Sequence, residues 1–381
     1  QIEVVFGGSP LVAAELLRGL TRFGKAHPNW RIAARSRQFD YSPGWLRRNE
    51  VAGMLLWQAG EDVLSALQGT KVPYVELLPH QPRRHPVVGI DHVAVGRLAA
   101  QTFLDLGFKR FGFCGISTRW SAERGTAFAD AVMAAGHDAP RTVDIRYDLA
   151  RHWPPESEAG QTDRLSRWLQ SLEHPVAVLA AHDAPAAMVA EMAEACGYLV
   201  PDDIAVLGVG DLPAICDLSP VGISSIDTGA DVMAHQACEV LDATIRGESV
   251  GTAPVLLPPR GVHVRRSTQA LSYDDPLVRE AVAYIREHSC EPLCVGDVCR
   301  EFNVSNRTLN RRFNPAVGHS PGSEIRRARL HHAHEMLIGT SLPLVEIALR
   351  CGFADQAHFS RLYHKTFGQS PSSARRAHAG R

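Results

Sequence analysis

The sequence predicts an α/β domain of two lobes with parallel, doubly wound sheets, followed by an all-α domain holding two helix-turn-helix units. Three observations carry this. Over the first 270 residues short apolar runs alternate with amphipathic stretches, the pattern of strands and crossover helices. Over the last hundred, one pattern occurs twice: a short amphipathic helix, a tight turn, and a second helix with Arg on its outward face. Charge is also unevenly divided. The net charge is −1, yet residues 1–275 carry 25 Lys and Arg against 32 Asp and Glu, while residues 276–381 carry 15 against 9. Such a local basic surplus suits a nucleic-acid duplex, whose counterions it displaces.

In chain order, strands are expected at Ile2–Phe6, Arg31–Ala34, Gly53–Leu56, Tyr74–Leu77, Phe111–Cys114, Val176–Ala180 and Ile204–Gly208. Helices are expected at Leu11–Phe23, Val93–Leu106, Ala122–Ala135, Asp163–Ser171, Pro185–Ala195 and Ala230–Ile245. Gly107, Gly136 and Gly197 each follow a helix where a C-cap glycine belongs. Residues 1–270 exceed one typical sheet domain, so two lobes are expected, with 271–381 as the second domain. A small ligand would sit between lobes, at the carboxyl ends of strands.

Polar residues gather at those ends. Asp91 follows Val87-Val-Gly-Ile90, Trp120 and Arg124 follow the Phe111–Cys114 strand, Asp183 follows Val178–His182, and Asp211 follows Val206–Gly210. Carboxylates and a guanidinium can bind sugar hydroxyls bidentately, and an indole offers a flat apolar face to a ring. Singly, each reads equally well as a helix cap or loop residue. Jointly, they mark a site.

In the C-terminal repeat, Leu309 and Phe313 are four apart, as are Phe359 and Tyr363, so each pair faces inward on its helix. The turns hold Asn303 and Gly352, residues that tolerate positive φ. Cys299 and Ala348 are small where helices must approach closely, and Ser305 can cap the first outward helix. This leaves Arg307, Asn310 and Arg311 outward in the first unit, and Gln356, His358, Ser360 and Arg361 in the second. Arg can read guanine, and Asn or Gln adenine, in the major groove. Arg312, Lys365, Arg375 and Arg376 look like phosphate contacts. Between the units, Ser320-Pro321 starts and Gly339 stops a connecting helix that fixes the spacing of the two readers.

These phrases carry a resemblance. Ile347-Ala-Leu-Arg-Cys-Gly-Phe353, His358-Phe-Ser-Arg361 and Phe367-Gly-Gln-Ser-Pro371 resemble the DNA-binding domain of AraC/XylS-family transcription regulators. One departure is Ala374-Arg375, where an aromatic-basic pair is usual. Residues 1–270 resemble the LacI/GalR and periplasmic-binding-protein-like fold through Gly89-Ile-Asp-His92, Glu123-Arg-Gly-Thr-Ala-Phe128, Ala181-His-Asp-Ala-Pro185, Pro201–Gly208 and Ser224-Ser-Ile226. The resemblance implies a transcription regulator that binds double-stranded DNA under control of a small sugar, a pentose such as xylose. It further implies a homodimer and contact with RNA polymerase. By that likeness Asp91, Arg124 and Asp183 fall on sugar-contacting positions, whereas Gly210 stands where the family carries an Asp.

Other classes are disfavoured. No apolar run approaches the ~20 residues that span a bilayer, and no basic-apolar leader opens the chain, so a cytoplasmic protein is expected, with a few natural residues missing before Gln1. The eight cysteines lack Cys-x-x-Cys spacing and read as free thiols, and His331, His332 and His334 read as a solvated face, so neither metal nor cofactor is expected. The competing reading is a sugar- or nucleotide-acting enzyme on the same scaffold. Phe6-Gly-Gly-Ser-Pro10 is no phosphate loop, and the His182-Asp183 pair is the nearest approach to an acid and base. A transport binding protein would have no use for the basic domain.

Overall fold

The computed structural model describes residues 1–7, 10–36, 42–59, 61–68, 70–77, 85–146, 158–248, 250–251, 253–367 and 370–378. Gly8 and Ser9 of the Phe6–Pro10 phrase, Gly368 and Gln369 of the closing phrase and the side chain of Arg376 lie outside the described residues. Two compact units result: residues 1–104 with 109–270, and residues 105–108 with 271–381.

The first unit starts with β1 (Ile2–Phe6), α1 (Pro10–Ala26), β2 (Ile32–Ser36), α2 (Pro43–Arg48), β3 (Gly53–Trp57), α3 (Glu61–Gln68), β4 (Tyr74–Leu77) and β5 (Val87–Ile90). A second run follows: α4 (His92–Asp105), β6 (Phe111–Ile116), α5 (Arg119–Ala134), β7 (Arg141–Ile145), α6 (Glu158–Gln170), β8 (Val176–Ala180), α7 (Asp183–Ala195), β9 (Ile204–Val209), α8 (Pro213–Cys216) and β10 (Ser224–Asp227). The chain then returns through α9 (Ala230–Ile245) and β11 (Val255–Leu257) and ends on β12 (Gly261–His263). One sheet runs β11-β5-β4-β3-β1-β2, the other β12-β10-β9-β8-β6-β7. All described pairings are parallel except β10 with β12.

The expected strands lie where the apolar runs are. β3, β5, β6, β8 and β9 are buried at every position, as parallel strands covered on both faces must be. β7, β10, β11 and β12 were not expected: β10, β11 and β12 run for only four, three and three residues, and β7 holds only two apolar residues, Val143 and Ile145, among exposed Arg141, Thr142 and Asp144. α9 belongs to the first lobe, where the Trp30 indole donates to Asp242 at 3.1 Å. Its close approach to α1 needs Gly19, since a Cβ there would lie 2.0 Å from the Asp231 carbonyl oxygen.

Three segments therefore cross between lobes: β5 to α4, β10 to α9, and β11 to β12. They are tied together. The Asp91 N–H donates to the Leu257 carbonyl at 2.8 Å, and Arg260 N–H to the Asp227 carbonyl at 2.8 Å. The Arg260 guanidinium also reaches Asp231 at 2.6 Å and Asp227 at 3.4 Å.

The second unit is all-α: α10 (Pro276–Glu287), α11 (Val295–Glu301), α12 (Asn306–Val317), α13 (Pro321–Gly339), α14 (Leu344–Arg350), α15 (Gln356–Phe367) and α16 (Pro371–His378). The segment 105–108 docks here, with the Asp105 carbonyl accepting from Tyr273 Oη at 2.8 Å and from Arg286 at 3.0 Å. There are two cores. Val278, Val282, Ile285, Leu309, Phe313 and Ile325 build one; Leu330, Leu337, Ile347, Phe359, Tyr363 and Ala374 build the other. α13 contributes to both over its 19 residues, about 28 Å of rod. Ala374, the departure in the last helix, is fully buried and simply packs there.

Local signals behave as their chemistry dictates. Ser305 and Ser320 cap α12 and α13 through their hydroxyls. Asn303 and Gly352 take φ of +48° and +72° at the two turns. Gly352 is needed twice over, because a Cβ would lie 2.9 Å from Arg329 Nε. Gly339 differs from expectation: it is the last residue of α13, and the cap is Thr340 in extended backbone. Phe359→Ala should destabilise this unit by about 3–5 kcal/mol, the cost of emptying a buried aromatic site. Amide-exchange protection of α14 and α15 checks this, and a loss below about 1 kcal/mol would contradict the packing.

Candidate functional site

All five residues of the expected cleft are described, and Arg124 has the most partners at the strand ends. It lies on the first turns of α5, 5 % exposed. α5 is capped by Thr118 and pressed against α4 at Gly96, where a Cβ would come 2.4 Å from the Arg124 carbonyl oxygen. The guanidinium donates to the Ala181 carbonyl at the end of β8 and, at 3.2 Å, to His92 Nδ1 at the start of α4. It also lies 4.6 Å from the centre of the Trp120 ring, a cation–π contact. Trp120 stands between two imidazoles, 6.1 Å from His92 and 6.2 Å from His182. One wall thus offers an indole face, a guanidinium and two imidazoles.

Burial pulls the Arg124 pKa down to about 9, opposed by the nearby Asp183 carboxylate, so the group remains charged at neutral pH. Burial, aided by Arg124, lowers His92 to about 3. His92 is therefore neutral, with Nδ1 accepting and Nε2 carrying the hydrogen.

The other expected residues have definite partners. Asp91 caps α4 by accepting the Ala94 N–H at 2.9 Å. Asp183 is fully buried, and its carboxylate accepts from Ser225 Oγ at 2.5 Å and the Leu212 N–H at 2.8 Å. Burial raises its pKa to about 6 against these hydrogen bonds. Gly208 and Gly210 make room for it, since Cβ atoms there would lie 2.4 and 3.0 Å from its oxygens, and Gly210 has φ +129°. Asp211 instead pairs with Arg265 at 2.9 Å and His263 at 3.2 Å. Burial pushes its carboxyl up, but those two partners outweigh it and the net shift is downward. The structure brings Trp120, Arg124, His92 and His182 together and sets Asp211 in a separate ion-pair network. His92 was missed because nothing in the sequence ties it to a residue 32 positions away.

In the second unit, Arg307 and Arg311 on α12 are exposed, and so are Gln356, Arg361 and Lys365 on α15. Asn310, His358 and Ser360 are half-buried. Asn310 donates to the Asn306 carbonyl at 2.9 Å. Arg312 is drawn away from the outward set: it clamps Asp275, the cap of α10, through bonds of 2.6 and 2.5 Å. Ser360, Arg361, His364, Lys365 and Ser370 line a shallow, open recess. His364 and Ser370 were not anticipated. Among the described residues no cluster of His, Cys, Asp or Glu is arranged to hold a metal, and no helix is long and apolar enough to cross a membrane.

A two-lobed α/β unit joined to a doubled helix-turn-helix defines a DNA-binding transcription regulator. Residues 100–268 match the periplasmic binding protein-like domain family, and residues 298–377 a helix-turn-helix domain family of the AraC type. Xylose operon regulatory proteins align over nearly the whole chain. That of Haemophilus influenzae is 25% identical over 98% of this chain and 98% of its own length. That of Escherichia coli is 30% identical over 98% and 96%. The solved structure of a xylose-binding transcription activator superposes with TM-score 0.62 at 26% identity, covering 98% of this chain and 97% of that one. The fold of a cellobiose-bound transcriptional regulator, at 21% identity and TM-score 0.56, covers 70% of this chain and 84% of its own. The chain belongs to the xylose operon regulatory protein family.

The buried groups set opposing pH responses. Asp183 binds a proton more readily folded than unfolded, so its contribution to stability falls as pH rises from about 4 to about 6. His92 binds one less readily folded, so its contribution is lost as pH falls from about 6.5 toward 3. Asp183→Asn removes the first and leaves the second. Unfolding free energies from urea titrations should then move against the variant, relative to the unsubstituted chain, by on the order of 2 kcal/mol between pH 6 and pH 4. A gap that does not change with pH would contradict this.

Proposed function

We propose that this regulator is cytoplasmic and homodimeric and binds a pentose such as xylose against Trp120 and Arg124, and that the sugar changes how α12 and α15 engage double-stranded DNA. The observation carrying the proposal is the charged Arg124 guanidinium packed on the Trp120 face at the carboxyl ends of the strands. A sugar ring needs both features, an apolar plane for its C–H face and fixed donors for its hydroxyls. His92 Nε2–H adds a donor, and Asp91 an acceptor at the crossover. Asp183 positions the site by fixing the segment after β9. The sugar acts only through different affinities for two arrangements of the lobes, and the linked crossover segments are where those arrangements would differ.

For DNA, Arg307, Asn310 and Arg311 of α12 and Gln356, His358, Ser360 and Arg361 of α15 are the proposed base readers, and Lys365 a phosphate contact. Arg312 holds α10 to α12 through Asp275, a role for which its ion pair speaks. RNA polymerase is the proposed protein partner. Catalysis is not part of this reading: the relatives are regulators, and the His182-Asp183 pair serves as helix cap and buried clip, with His182 Nδ1 accepting the Ala184 N–H at 3.2 Å.

D-Xylose should raise the melting temperature of the first unit while remaining chemically unchanged, and Trp120→Ala, at a partly exposed position, should abolish that rise without unfolding the protein. Turnover of the sugar, or an undiminished rise in the variant, would overturn the assignment. Arg311→Ala and Arg361→Ala should each weaken binding to the target duplex by about 1–3 kcal/mol and relax base choice. Equal losses on target and random duplexes would make them phosphate contacts instead.

A further inference from the structure

The histidines of α13 do not form one solvated face. His331 and His332 are exposed, but His334 is half-buried and turned to α15. Its Nδ1 lies 2.5 Å from the Tyr363 hydroxyl. Its ring is stacked on Phe367 at 4.9 Å between centroids, and Phe367 lies 4.5 Å from the Tyr363 ring. Tyr363 is fully buried, and burial holds its hydroxyl far above the ordinary range. The hydroxyl therefore keeps its proton and donates, and His334 Nδ1 accepts. The repeated motif shows what is special here. Tyr363 stands in α15 where Phe313 stands in α12, and both are fully buried. Only the second ring carries a hydroxyl, and the helix facing it supplies an imidazole. The first reader is fastened otherwise, by the clamp from Arg312 of α12 to Asp275, the cap of α10.

We propose that His334 is a positioning residue for the second reader: through Tyr363 it sets the roll of α15, and so which base edges Arg361 meets. This rests on the reading of α15 as a base reader. Burial of Phe359 and Tyr363 holds the helices together, but that attraction has no direction and tolerates a small roll. A hydrogen bond has a direction, and it weakens steeply once its angle or length leaves a narrow range. The Tyr363 hydroxyl sits at the far end of its side chain, so the bond to His334 holds α15 well away from the helix axis. A roll of ~10° carries a side-chain tip ~5–6 Å from the axis sideways by about 1 Å. On the outward face that displacement is enough to break a bidentate contact between a guanidinium and guanine. The stack on Phe367 keeps the imidazole from turning its acceptor away.

The test measures affinity of the full-length protein for the target duplex and for duplexes carrying each single base-pair change. Arg361→Ala and Arg311→Ala first mark the base pairs that α15 and α12 discriminate. Tyr363→Phe removes only the hydroxyl, and His334→Leu removes the acceptor. Each should lower discrimination by about threefold or more at the pairs marked by Arg361, and leave those marked by Arg311 unchanged. Adding Tyr363→Phe to His334→Leu should cost nothing beyond Tyr363→Phe alone, since both remove the same bond. His334→Asn, which still offers an acceptor oxygen, should recover most of the discrimination. If His334→Leu unfolds the unit, as amide exchange of α14 and α15 would reveal, Tyr363→Phe alone decides. Unchanged discrimination in Tyr363→Phe, or an affinity lowered by the same factor on every duplex, would overturn the inference and leave α15 a base reader. Unchanged discrimination in Arg361→Ala would remove the base-reading assignment, and the inference with it.

Discussion

Burying a cation is the constraint around which the sensing half is arranged. An isolated buried guanidinium costs several kcal/mol, so it persists only where partners replace water. Here an indole face, a neutral imidazole, a strand-end carbonyl and a nearby carboxylate do so, and each comes from a different element. Arg124 therefore fixes the start of α4, the first turns of α5 and the end of β8 relative to one another. The Asp183 carboxylate is in turn immobilised by Ser225 and Leu212, so the second charge cannot drift from the first. On the proposed reading, a sugar at this cluster would meet donors that are already oriented, which would lower the ordering cost of binding.

The reading half solves a different problem. Two short helical pairs, each too small to hold a core alone, share the long helix α13, which supplies Ile325 to one core and Leu330, Ala333 and Leu337 to the other. The inward Leu309–Phe313 and Phe359–Tyr363 pairs leave the opposite faces of α12 and α15 to cations and amides. Arg329 adds a polar brace, binding three backbone carbonyls and abutting Gly352, so the second turn and the segment after α10 cannot move independently.

Much of this was legible in the sequence, because periodicity and caps are local. Apolar runs located β4 and β8, the Ser-Pro pair located the start of α13, and the doubled helical pattern located both readers. What escaped depends on distant partners. β10 to β12 are strands only because neighbouring strands accept them, and three or four residues carry no period of their own. The order of residues also could not reveal that Asp211 faces Arg265 and His263, that Asp275 claims Arg312, or that His92 is held neutral by Arg124. Gly210 read as a lost contact, and only the fold shows that it lies against the Asp183 carboxylate.

The account turns on Arg124 and Trp120 forming one recognition surface. The most direct measurement is a crystal structure grown in saturating D-xylose. The account predicts one sugar ring lying on the Trp120 indole, with a hydroxyl within hydrogen-bond distance of the Arg124 guanidinium. A sugar bound elsewhere in the first unit, with Trp120 and Arg124 untouched, would contradict it.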